Sequence, residues 1–114
     1  MAYTNLQYLQ SITDGNQQIN REIIELFLLQ VPDFINNLNH LYQTGQYAAL
    51  GKEAHKAKSS LQIMGMTELE AEMKILSQKT IQGIDAESYP AHIRNFELQC
   101  AGAVAELQAV LDSY

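Results

Sequence analysis

The chain has 114 residues, with 13 Asp and Glu against 7 Lys and Arg and a formal net charge of -6. That acidity excludes non-specific binding to nucleic acid or anionic lipid, which needs clustered Lys and Arg. Apolar residues make up 46% of the chain and are spread along it, which excludes disorder, and the single cysteine, Cys100, excludes an internal disulfide or a Cys-based zinc knuckle. With two prolines there is no Pro-rich linker, so one domain spanning residues 1–114 is expected. The start, MAYTNLQYLQSITDG, has neither the basic nor the apolar region of a secretory signal, and no apolar run approaches the roughly 20 residues of a membrane helix. A cytoplasmic monomer in a reducing compartment is therefore expected, without membrane attachment.

Apolar residues recur at spacings of three and four, and no alternating strand pattern stands out, so the chain reads as all-α. A short first helix over about Thr4 to Ile12 presents Leu6, Leu9 and Ile12 and ends at the Asp14-Gly15-Asn16 turn. Asn16 is a good N-cap for a second helix that carries Ile19, Ile23, Leu26, Phe27, Phe34, Leu38 and Leu41 and ends at Thr44-Gly45. Pro32 lies inside it, which predicts a kink or break near Val31.

The third helix, Tyr47 to Ile63, puts Leu50, Ala54, Ala57 and Leu61 at core spacing and is closed by Gly65. Thr67 and Glu70 have the form of a capping box that launches a fourth helix to about Thr80, with Leu69, Met73 and Leu76 inward. After Gly83 the last helix shows the steadiest pattern: Tyr89, Ile93, Phe96, Cys100, Ala103, Leu107 and Val110, with Pro90 admissible only in its first turn. Four long amphipathic helices with short turns predict an antiparallel up-and-down four-helix bundle, the short N-terminal helix lying over one end as an extra element.

Three of the seven basic residues fall between positions 52 and 58, a local reversal of sign around His55. At about 100° per residue, His55 sits roughly 130° from the centre of the apolar stripe, so it should face solvent. One and two turns away lie Ala48, Gly51, Lys52, Lys58, Ser59 and Gln62. A neutral imidazole is a nucleophile near pH 7, and ammonium groups beside it stabilise a phosphoryl group electrostatically. Small residues at Ala48, Gly51 and Ser59 would let a partner's acidic pocket close over the ring. Gly51 in mid-helix costs about 0.5 to 1 kcal/mol relative to Ala, which calls for a reason.

The stretch EAHKAKSSLQIMG resembles the signature of histidine-containing phosphotransfer (HPt) domains: a His, a Lys three residues on, a small residue next to it and a Gly ten residues after the His, here His55, Lys58, Ser59 and Gly65. The resemblance implies a carrier rather than a classical enzyme, moving a phosphoryl group on His55 between aspartyl-phosphate receiver domains, with Lys58 as electrostatic partner and Gly65 as the turn ending the helix. It implies response-regulator receivers as partners, with a hybrid sensor histidine kinase as a further candidate, and no resident cofactor, the Mg²⁺ being the receiver's. The chain departs from the usual pattern at Ser59, where Gly is commoner, and at Ala57, where a large aliphatic is usual.

Rival readings are weaker. The Glu-x-x-His spacing of di-iron bundles is missing, since Asn37, Lys52 and Tyr89 precede His40, His55 and His92 by three, so no metal site is expected. His40 and His92 read as surface or boundary residues. Cys100 lies on the apolar stripe and reads as core rather than nucleophile. The alternative function is a helical interaction module that docks a receiver or other partner without phosphotransfer.

Overall fold

The computed structural model describes residues 2–114 and contains α1 (Gln7–Thr13), α2 (Gln17–Gln43), α3 (Tyr47–Ile63), α4 (Thr67–Gln82) and α5 (Tyr89–Asp112), with a 3₁₀ turn at Ala86–Ser88 before α5. Helices α2 to α5 form a closed ring of neighbours, α2 against α3 and α5, α4 against α3 and α5, while α1 packs on α2. This is the expected antiparallel bundle. The 27 residues of α2, at about 1.5 Å each, account for the 43 Å long axis of the molecule.

Several boundaries follow from turn chemistry. Asp14 and Gly15 both take the left-handed conformation that ends α1, and the Asn16 side chain accepts the Ile19 N–H at 3.0 Å to start α2. The third helix has the predicted limits. Helix α4 runs to Gln82, two residues beyond the expected end, and Gly83 caps it in the left-handed conformation.

Other expectations are corrected. Thr4 to Leu6 are not helical, because their polar groups are taken up elsewhere: Thr4 N–H and hydroxyl donate to Glu106 at 3.0 and 2.9 Å, and Asn5 N–H donates to the Met64 carbonyl at 3.0 Å. This segment is a strap across the bundle. Pro32 does not break α2, which is continuous around it. Thr67 is the first residue of α4 rather than its cap; Met66 is the N-cap and no side chain caps the helix. The first turn instead carries Glu68 and Glu70, favourable to the helix dipole.

The core runs from Leu9 through Phe27, Phe34, Leu50, Met73 and Phe96 to Leu107, with Phe34 and Phe96 meeting edge to face at 6.3 Å between ring centroids. All the predicted inward positions of α3 and α4 are buried, and those of α5 up to Leu107, where Leu111 rather than Val110 ends the stripe. On α1 and α2, however, Ile12, Ile19 and Leu26 are exposed. Asn20 is fully buried in their stead, accepting the Thr13 hydroxyl and donating to Gln10 at 3.2 Å, so a polar clasp joins α1 to α2. Cys100 is buried as expected, and burial pushes its thiol up to about 12, which keeps it protonated and inert.

Candidate functional site

The site is built on α3, whose buried face is Leu50, Ala54, Ala57 and Leu61. Small side chains at Ala54 and Ala57 bring α3 close to its neighbours and leave the opposite face as a ridge. His55 stands exposed on that ridge, with Ala48, Lys52, Lys56, Ser59 and Gln62 also exposed and Lys58 half-buried. Its flank toward α2 is tied down: Asn37 donates to Glu53 at 3.2 Å and Ser60 to Gln30 at 2.9 Å.

Gly51 is placed differently from the expectation. It is buried, and a Cβ there would overlap the Thr80 hydroxyl and lie 3.5 Å from the Ser77 carbonyl oxygen. Its smallness serves the contact of α3 with α4, not an open docking face. Gly65, by contrast, ends α3 as expected, with φ +68°, and a Cβ there would also run into the Asn5 carbonyl. The strap therefore crosses at a residue without a side chain to block it.

Charge on the ridge is unbalanced. Among the described residues the ion pairs are Arg21–Glu25 and Lys79–Asp85, and Glu72 is met by His92, so Lys52, Lys56 and Lys58 have no carboxylate partner. Lys52 and Lys58, one turn to either side of an exposed imidazole on a chain of net charge -6, make a local anion-binding surface. Beside it, Ile23, Leu26, Phe27, Gln30, Ser60, Ile63 and Met64 line a shallow groove of about 90 Å³ between α2 and α3. Periodicity alone had turned Leu26 inward; its exposure of 55% makes it part of this rim. The signal available in the sequence was Ile24, one residue from Ile23, which competes for the same stripe and wins it.

The Hpt domain model matches residues 22–112, most of the chain and all of the ridge. The chain belongs to the Hpt domain family. An Hpt domain takes part in histidine phosphotransfer in two-component phosphorelays, and this one is a phosphocarrier of that kind. Its fold is similar to that of histidine-containing phosphotransfer protein B (HptB) from Pseudomonas aeruginosa PAO1, at 21% identity and a TM-score of 0.89 over 98% of this chain and 96% of that one. No curated protein matches the chain. In this Hpt domain no helix among the described residues is long and apolar enough to cross a membrane.

Proposed function

We propose that His55 is the phosphoacceptor of this Hpt domain, that Lys58 and Lys52 hold the phosphoryl group electrostatically, and that Ala48, Ser59 and Gln62 form the ground on which a receiver domain sits. The observation that carries this reading is the exposed, unpaired ridge: an imidazole open to solvent amid ammonium groups that no carboxylate neutralises.

In the transfer, the unprotonated ring nitrogen of His55 forms an N–P bond as the P–O bond of the receiver's aspartyl phosphate breaks. The electron pair leaves with the aspartate carboxylate, and the other ring nitrogen keeps its proton. The loose transition state needs little from the protein beyond alignment and positive charge, which the lysines supply from this side. Mg²⁺ comes with the receiver. The shallow apolar groove at Ile23 and Leu26 continues the ridge past Ser59 and offers the receiver apolar contact next to the charged one. The reading extends to a cytoplasmic, monomeric shuttle.

The test is to incubate the protein with a phosphorylated receiver domain. One acid-labile, alkali-stable phosphate per chain is expected, absent in His55→Gln with unchanged circular dichroism. Label that persists in the variant would remove His55 from the role.

A further inference from the structure

The contact at Gly51 sets the register of the site against α4. A Cβ on Gly51 would meet Thr80 and approach the Ser77 carbonyl, and α3 and α4, joined by the short turn at Gly65, run antiparallel. Each turn forward along α3 is therefore a turn back along α4. His55 comes opposite Ser77, and Lys58 opposite Met73 and Lys74.

Which flank of α4 faces the ridge is fixed by α5. His92 Nδ1 pairs with Glu72 at 2.9 Å, Lys79 Nζ meets His92 Nε2 at 3.0 Å, and Asn95 also donates to Glu72. Glu72 and Lys79 are thus turned toward α5. Lys74 lies about 160° around the helix from Glu72, on the flank that carries Glu70, Ser77 and Ile81 and borders α3. Lys74 is exposed and, among the described residues, makes no ion pair. Glu70, the carboxylate on this flank, lies a turn further from His55 and pairs with neither lysine.

We propose that Lys74 is a third cation at the phosphoryl group, acting from α4 across the α3–α4 seam from Lys58. This rests on His55 as the phosphoacceptor. Two ammonium groups on either side of a helix–helix seam repel until an anion lies between them, and a phosphoryl group on the ring beside that seam is that anion. Donors from two helices also hold it more rigidly than lysines of a single flexible row. Lys56 has no such place: it projects from α3 on the side away from α4, and so it supplies a control of equal charge.

The test phosphorylates the protein with phosphoramidate and follows the phosphohistidine by ³¹P NMR. In Lys74→Gln the pH midpoint of the phosphoryl titration should rise and the half-life near neutral pH should fall by about two- to fivefold, the range of a solvent-exposed charge pair. Lys74→Arg should keep wild-type values, and Lys56→Gln should leave both readings unchanged. An unaltered Lys74→Gln overturns the assignment, as does an equal change in Lys56→Gln, which would make the effect one of net charge. Failure of the underlying reading looks different: a wild-type chain that takes no phosphate from phosphoramidate or a phosphorylated receiver, or a resonance that survives His55→Gln, and either overturns this inference as well.

Discussion

His92 stands between α4 and α5 with both ring nitrogens engaged, by Glu72 and by Lys79, whereas His55 on α3 stands open among lysines that have no partner. An ammonium group only donates, so the Lys79 contact requires an unprotonated Nε2, and Nδ1–H must then donate to Glu72. Lys79 is anchored in turn by Asp85 at 2.9 Å and by the Ser88 hydroxyl at 3.0 Å. Each histidine has lysine within reach, and one cluster is closed while the other is not. The carboxylates make the difference: they turn a lysine–histidine pair into a clasp between helices, and without them the same pair is a surface waiting for an anion.

The comparison breaks most directly by exchanging the two positions in one assay. His55→Gln should abolish the acid-labile phosphate, while His92→Gln should retain one phosphate per chain and transfer at the wild-type rate. Loss of label in a folded His92→Gln would end the distinction between a closed and an open histidine.

A smaller effect separates packing from docking on α3 itself. Gly51→Ala puts a methyl group against the Thr80 hydroxyl; overpacking of this kind costs about 1–3 kcal/mol, less the roughly 1 kcal/mol that Ala gains over Gly in a helix. We expect a net loss of about 1 kcal/mol, read as a lower midpoint in urea, partly restored by a second change, Thr80→Ala, that removes the hydroxyl. Transfer from a receiver should proceed at its normal rate. A variant of full stability that transfers poorly would return Gly51 to the docking face.

The closed cluster has its own signature in pH. The hydrogen bond from Lys79, with further donors, holds the Asp85 carboxyl below the usual carboxylate range. A lowered folded value means that the contribution is present above the unfolded value of about 3.9 and is lost only as pH falls through the lower folded one. The Asp85 Cγ resonance should therefore titrate below the ordinary range, and Lys79→Ala should bring it back up. An Asp85 that titrates normally beside an intact Lys79 would mean that the clasp is open in solution.

Helix α3 was legible in the sequence to its limits because Leu50, Ala54, Ala57 and Leu61 leave one way to bury it, and His55 then had to face out. The inward face of α2 was not, because Ile19, Ile23, Ile24, Leu26 and Phe27 offer two competing stripes, and only the crossing of α1 at Asn20 decides between them. Gly51 was misplaced for a related reason. Its angle on the wheel lies between the core and the ridge, and the arrival of α4 at that edge is a tertiary fact. The strap was hidden because Thr4 and Asn5 satisfy their backbones through Glu106 and Met64, the first of them 102 positions away in the chain.

The finest test of the open histidine is Ser59→Gly, at the position where the family more often has glycine. Ser59 is exposed, one turn from His55, and its hydroxyl makes no hydrogen bond within the chain among the described residues. A hydroxyl already solvated gains little by turning to a phosphoryl group, while its bulk stands where the receiver must close. Removing it should therefore raise the transfer rate, by about twofold if crowding costs about 0.4 kcal/mol in the transition state. The same change should lower stability by about 0.5 kcal/mol, since glycine is a poorer helix former than serine. The two readouts move in opposite directions, so a gain in rate cannot be mistaken for a tighter fold. Slower transfer by Ser59→Gly would instead make the hydroxyl a donor to the phosphoryl group, and the ridge would then hold its anion by a neutral hydrogen bond as well as by charge.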